Sequence, residues 1–339
     1  MTTYRAYQVT GSRQFELVER EKAVPGPGQV GIRVLSCGVC HTDFLAAEGM
    51  LRGDPSTPIV PGHEIVGVID EVGEGVTAWQ AGERVGVGYL AGHCGECDFC
   101  RRGDFVNCAN QHQTGTTADG GYAEYVVART SGLVRIPQEL DPLEAAPLLC
   151  AGLTTFKALQ ETGARAGGLV AIQGIGGLGH LGIQYAVKLG YRVAAIARGT
   201  DKAQLAAQLG ADHYIDSTAD DPGTALLKLG GADAIVATAA SGASMSPLIP
   251  GLRPGGRMVV VGAGLDPITV STLDLIFGTR TITGSKTGSA IENEDNLAFS
   301  ARHGIKPLIE TMPLTQAPKA YEHMMSGAAR FRVVIDLTA

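Results

Sequence analysis

The stretch LVAIQGIGGLGHLG, residues 169–182, constrains this chain more than any other. Its apolar start reads as a buried strand. Glycines follow at 174, 176 and 179, and Leu178, Leu181, Ile183, Ala186 and Val187 then recur at helical spacing. A strand that turns on glycine straight into a helix predicts the first unit of a parallel, doubly wound sheet. Further strands (YRVAAIA, DHYID, DAIVATA, RMVVVGA) and the helical TDKAQLAAQLG continue the alternation.

In this context G-x-G-x-x-G predicts dinucleotide binding. Gly174 makes the tight turn, Gly176 lets backbone approach a pyrophosphate, and Gly179 lets helix and strand pack closely. Gly177 and Leu178 complete the turn, whose helix N-terminus faces the phosphate charge. The alternative is a tight turn with no ligand. NAD-binding folds usually carry Asp or Glu about 20 residues on, to hold the ribose 2′-OH. Here the strand ends at Ala197 and is followed by Arg198, Gly199 and Thr200. Arg198 and Thr200 suit a 2′-phosphate instead, so NADP(H) is favoured over NAD(H). The alternative is a solvated Arg198 and NAD bound without the usual acid.

The first 150 residues have another grammar. Short β-branched runs (YRAYQVT, VGIRVLS, EIVGVIDEVG, ERVGVGYL, GYAEYVVA) are separated by Gly and Pro, and helical periodicity is scarce. At 339 residues two domains are expected, because single cores stop growing at roughly 250–300 residues. With 45% hydrophobic and 18% charged residues, disorder is excluded. A net charge of −7 argues against nucleic-acid binding. No segment suggests membrane contact and no apolar leader is evident, so a cytoplasmic protein is expected.

Seven cysteines in a reducing compartment point to metal ligands or free thiols. Four lie in AGHCGECDFCRRGDFVNC, as Cys94, Cys97, Cys100 and Cys108. Four thiolates can enclose one Zn²⁺ at about 2.3 Å with no open position, which makes such a zinc structural. Free surface cysteines and an iron–sulfur cluster are the alternatives; the latter usually ends in Cys-Pro, which is missing. A second candidate set is scattered: Cys40, His41 and Asp43 in CGVCHTDF, His63 and Glu64 in PGHE, and Cys150 in APLLC. Two thiolates and an imidazole would leave zinc an open position, as catalysis requires. Spacing alone does not bring 40, 63 and 150 together. A lone His63 is more often an ordinary histidine, and Cys150 an apolar filler.

GVCHTD, PGHE, the four-cysteine lobe, APLLCAGLTTFKAL, GIGGLGHLGIQYAVKLG and FRVV occur in an order that resembles the zinc-dependent medium-chain alcohol dehydrogenase family over nearly the whole length. The resemblance implies a GroES-like β-rich catalytic domain (1–150 and 286–339, structural zinc lobe near 91–110) and a Rossmann domain (151–285). It implies two zincs per chain, with Cys40, His63 and Cys150 holding the catalytic one and Glu64 an adjacent, alternating ligand. Asp43 would hydrogen-bond His63, and Thr42 would touch the substrate oxygen and begin a proton relay. His41 and Arg332 resemble pyrophosphate contacts, and Thr154 a neighbour of the nicotinamide. The implied activity is hydride transfer between the nicotinamide and an alcohol or carbonyl compound, in a homodimer or homotetramer. Leu45 stands where many members carry a histidine that passes the proton to solvent. That departure keeps open a second reading, reduction of an activated C=C or C=N bond. A non-enzymatic zinc and dinucleotide sensor would need only the four-cysteine zinc. Cys37 reads as a small buried hydrophobe and Trp79 as packing. Few bulky aromatics are evident near the zinc segments, and Ala47 and Glu48 suggest no more than a moderately roomy apolar pocket.

Overall fold

A computed structural model of the chain describes residues 2–10, 13–50 and 57–339. It divides into two units, Met1–Leu153 with Thr287–Ala339, and Thr154–Lys286. Along the chain the first unit starts with strands β1 (Thr3–Val9), β2 (Phe15–Glu21), β3 (Gln29–Val39), β4 (Glu64–Val72), β5 (Arg84–Val87), β6 (Tyr125–Arg129) and β7 (Leu133–Arg135). The second unit supplies β8 (Leu169–Gln173), β9 (Arg192–Ala197), β10 (His213–Asp216), β11 (Ala232–Ala237), β12 (Leu252–Val260) and β13 (Thr281–Gly284). The chain then returns to the first unit for β14 (Ile309–Pro313) and β15 (Arg332–Asp336).

The first unit is built on a seven-stranded sheet of order β14-β15-β3-β4-β5-β7, with β6 also paired to β3. Most pairs are antiparallel, and their register decides what meets at the sheet's end. Val39 faces Val333 and Gly38 faces Glu64. The end of β3 and the starts of β4 and β15 therefore lie together, and Cys40, His63 and Arg332 sit at or beside those ends. Val30, Ile32, Val34, Ile65, Ile69, Val85, Val333 and Ile335 form the core beneath. Each such side chain contributes about 1.5–3 kcal/mol on burial. Trp79 belongs to that core, with the Arg135 guanidinium 4.2 Å from its ring.

The second unit carries a six-stranded, all-parallel sheet of order β10-β9-β8-β11-β12-β13. β8 is buried along its whole length, which is why it reads as a continuous apolar run. The strand order reverses between β8 and β11, the point where such sheets open a crevice for ligands. The expected doubly wound fold is thus present, and the helix after the glycine turn spans Gly179–Lys188.

The structure departs from the sequence reading just before residue 150. Helical periodicity looked scarce there, yet Pro142–Pro147 is helical and leads through a π turn, Leu148–Gly152, into the helix Leu153–Glu161. Asp141 caps the first of these by accepting from Leu143 N at 2.8 Å, and Pro142 occupies the first helical position, where it needs no N–H.

The glycine turn yields a direct test. A Cβ on Gly179 would stand 1.7 Å from Gly174 O, whereas one on Gly176 meets nothing within 4 Å. Gly179→Ala should lose about 1–3 kcal/mol of stability, and Gly176→Ala almost none. Urea unfolding followed by circular dichroism measures both; equal midpoints for the two variants would refute the close approach.

Candidate active site

Cys40 leaves β3 and starts a short 3₁₀ turn, His41–Asp43. The turn is closed by two bonds across it. Asp43 N donates to Cys40 O, and Cys40 N donates to Asp43 Oδ2, each at 3.0 Å. Both Asp43 oxygens then look inward: Oδ1 stands 2.8 Å from His63 Nδ1, and Oδ2 also accepts from the Tyr122 hydroxyl at 2.9 Å. His63 follows Gly62, whose φ of 97° needs glycine and whose Cβ would strike the Tyr122 ring and Cys37 Sγ. With Nδ1 turned to Asp43, Nε2 is the ring nitrogen left to face a cation. Nε2 is buried without a hydrogen-bond partner.

Cys150 enters from the π turn, and its Sγ lies 3.9 Å from Cys40 Sγ. Donor atoms of Cys40, His63, Glu64 and Cys150 all fall within 4.8 Å of one another. Two thiolates bound tetrahedrally at about 2.3 Å to one zinc stand about 3.8 Å apart, so the sulfur spacing fits that ion. The orphaned imidazole nitrogen aimed at the same place fits it too. Without a metal the two thiols share a proton. The bond from Cys150 holds Cys40 well below its usual value, and the same bond, with burial, holds Cys150 well above. Burial alone would depress His63, but Asp43 and Cys40 hold it well above the ordinary histidine range.

Glu64 is fully buried opposite Gly38, where a Cβ would stand 1.9 Å from its Oε2. Its Oε1 is ion-paired with Arg332 Nη2, and its Oε2 has no partner. Burial pushes this carboxyl up to about 8, against the pull of Arg332. Arg332, expected at a pyrophosphate, thus has a carboxylate partner that sequence reading did not foresee, and its Nε is buried without a partner. Cys37 is fully buried, and burial pushes its thiol well up, as a filler requires. Thr42 and Leu45 are half-buried, while His41 is exposed beside the Phe44 ring at 5.5 Å. Ala47 is buried and Glu48 is ion-paired with Arg13.

The aromatic environment is richer than the sequence suggested. Tyr89 meets the His63 ring edge-on at 5.2 Å, and burial raises its phenol to about 12. Tyr122 is fully buried behind Asp43. Asn293 and Asn296 were also missed. Their amides donate to Leu149 O and Leu148 O, each at 3.0 Å, beside Cys150. Buried tyrosines in β-rich runs and asparagines in a polar helix carry no local signal of a site.

The four-cysteine lobe closes separately within the first unit. Its sulfurs lie within 4.8 Å of one another, with Cys94 3.9 Å from Cys100 and 3.6 Å from Cys108. Backbone N–H groups of Cys97 and Ala109 point at Cys94 and Cys97 sulfurs at 3.4 Å. Such donors pull Cys94 down to about 6, while burial pushes Cys100 up to about 12. Gly92, Gly95 and Gly103 take positive φ at its bends.

In the second unit a cleft of about 650 Å³ opens at the strand-order reversal. Gly174, Gly176, Gly177, Leu178, Arg198 and Lys202 line it. Gly179 packs beneath the turn and Thr154 begins the unit. Arg198 and Thr200 are exposed. Among the described lining residues there is no Asp or Glu. The nearby Asp216 accepts with Oδ1 from Gly199 N and from Thr218 N and hydroxyl, at 2.7–2.9 Å. The bonds from Thr218 lead in holding it below the usual carboxylate range.

Comparison with known proteins places these features. Residues 26–138 match the family described as alcohol dehydrogenase GroES-like domain, and residues 177–303 the family described as zinc-binding dehydrogenase. Alcohol dehydrogenase patD of Penicillium expansum is 42% identical over 95% of this chain and 94% of its own length. A solved cinnamyl alcohol dehydrogenase from Sorghum bicolor superposes with a TM-score of 0.89 at 32% identity, covering 100% of this chain and 98% of that one. The Helicobacter pylori CAD complexed with NADP(H) superposes at 0.88 with 29% identity, covering 99% of both chains.

Tyr122→Phe removes one donor to Asp43 and creates no cavity. Stability should fall by about 1–2 kcal/mol in urea unfolding; an unchanged midpoint would show that the hydroxyl contributes nothing there.

Proposed function

The chain belongs to the zinc-dependent medium-chain dehydrogenase/reductase family, and from that premise we propose that it is an alcohol dehydrogenase or aldehyde reductase holding two zincs and preferring NADP(H). One observation carries the reading: Cys40, His63 and Cys150, separated along the chain, present their donor atoms to one point, with Glu64 beside them. Zinc at that point would polarise the substrate oxygen, and the nicotinamide would carry the hydride.

The chain's own residues do the rest. Cys40, His63 and Cys150 hold the ion, and Asp43 fixes the imidazole tautomer and orientation. Glu64 keeps one oxygen on Arg332 and one free, which suits an alternating ligand. Thr42, half-buried two residues after Cys40, would take the substrate's hydroxyl proton while passing its own onward. Leu45 supplies no onward carrier, so the proton would leave Thr42 by way of cofactor hydroxyls and water. The half-buried Tyr89 ring lies edge-on to the imidazole, and the fully buried Tyr122 backs Asp43, so both limit water at His63. Cys94, Cys97, Cys100 and Cys108 hold the second, structural ion.

Arg198 and Lys202 in a cleft without a carboxylate lining support a 2′-phosphate. Solved neighbours described as complexed with NADP(H) and with NAD support a nicotinamide cofactor. A reducing compartment, the cytoplasm, suits seven cysteines that form no disulfide with one another. The second unit also supports a homo-oligomer: β13 ends its sheet, and helix Thr272–Gly278 exposes Leu273, Ile276 and Phe277.

Two tests follow. On protein shown to carry about two zincs per chain, kcat/KM is measured with NADPH and NADH over aldehydes, enals and cyclic imines. Aldehyde turnover with NADPH is expected, and Arg198→Asp should cut kcat/KM for NADPH by roughly 10–100-fold while improving NADH. Enal or imine turnover without aldehyde turnover would favour the C=C or C=N reading. A single zinc and no turnover would favour a sensor. Separately, Phe277→Asp should shift the light-scattering mass toward the monomer; an unchanged mass would move the interface elsewhere.

A further inference from the structure

The carbonyl oxygens of the two residues just before Cys150 are held from a helix far along the chain. Cys150 sits in a π turn preceded by Pro147, which has no N–H to give. A π turn is rare and gains little from local propensity, so something outside it must fix its shape. Here Asn296 Nδ2 donates to Leu148 O and Asn293 Nδ2 to Leu149 O, each at 3.0 Å. The two amides are joined, Asn296 Nδ2 to Asn293 Oδ1 at 3.3 Å, and Ser300 bonds back to Asn296 O. Both asparagines are buried, at 2% and 0% exposure. Their helix, Ala290–His303, is started by Ser289, whose N–H and hydroxyl both donate to Glu292 Oε2 at 2.7 Å. Gly88 makes room for the arrangement, since a Cβ there would come within 3.1 Å of Leu149 O and 3.4 Å of Asn293 Nδ2.

A buried primary amide is costly unless bonded, and shorter apolar side chains would pack a helix face more cheaply. Two in one helix, three residues apart and both aimed at the turn bearing a thiol, point to positioning. We propose that Asn293 and Asn296 are positioning residues for Cys150, setting how firmly the Cys40–His63–Cys150 cluster retains its metal. The inference rests on the zinc reading above.

The test is zinc release from the intact protein into a chromogenic chelator, a readout independent of turnover. The phase missing from Cys150→Ala belongs to the cluster, and the remaining phase to the four-cysteine lobe. Asn293→Ser and Asn296→Ala should each speed the Cys150-dependent phase by about tenfold or more and leave the lobe phase unchanged. Leu297→Ala is the control: it empties a buried position on the same helix but removes no amide. It should lower the melting temperature and leave both phases alone. Release that is unaltered in both asparagine variants, or accelerated as much by Leu297→Ala, overturns the proposal. Asn293→Ser, the milder change, decides the matter if Asn296→Ala does not fold. Absence of any Cys150-dependent phase in the unaltered protein would instead overturn the zinc reading itself.

Discussion

Asp43 gathers the first unit's chemistry around one buried carboxyl. Its oxygens meet Cys40 N from the end of β3, His63 from the segment before β4, and the Tyr122 hydroxyl from the segment before β6. A carboxylate at 2% exposure is tolerable only when such donors replace the water it lost. The same three contacts set the angle of Cys40 and the tautomer of His63. Removing Asp43 would therefore disturb two of the donors at once, without touching either.

The second unit works by a different economy. Its turn is bare backbone, and the positions that matter are those where a side chain is missing. Gly174 takes a φ of 89°, and Gly179 lets helix and strand close on each other. Asp216, which precedes the cleft-lining Ser217, is occupied with bracing the loop from Gly199. What faces the cleft from this side is positive charge, and the same absence of an acid could be read directly from the residues after β9.

How much was legible follows from how local each signal is. The doubly wound sheet and the four-cysteine lobe could be read because strand, turn and helix, or four thiols, lie within one short stretch. The cluster of Cys40, His63 and Cys150 could be named only through the resemblance, since its convergence depends on the pairing of Val39 with Val333 and Gly38 with Glu64. Nothing local announces the π turn: its carbonyls are held by residues 144 and 148 positions away. Tyr122 and Tyr89 were invisible for a similar reason. A tyrosine in a β-rich run reads as strand filler until the partner of its hydroxyl or ring is known.

The salt link between Glu64 and Arg332 joins residues from opposite ends of the polypeptide. On the ribosome the two sulfur-rich places are therefore finished at different times. The lobe has its last thiol once Cys108 emerges. The Glu64 carboxylate waits for its guanidinium until roughly 220 residues later, some 10–45 s at ordinary elongation rates. One nest of thiols is thus complete in the nascent chain long before the buried carboxylate beside the other is neutralised, an order set by the order of synthesis.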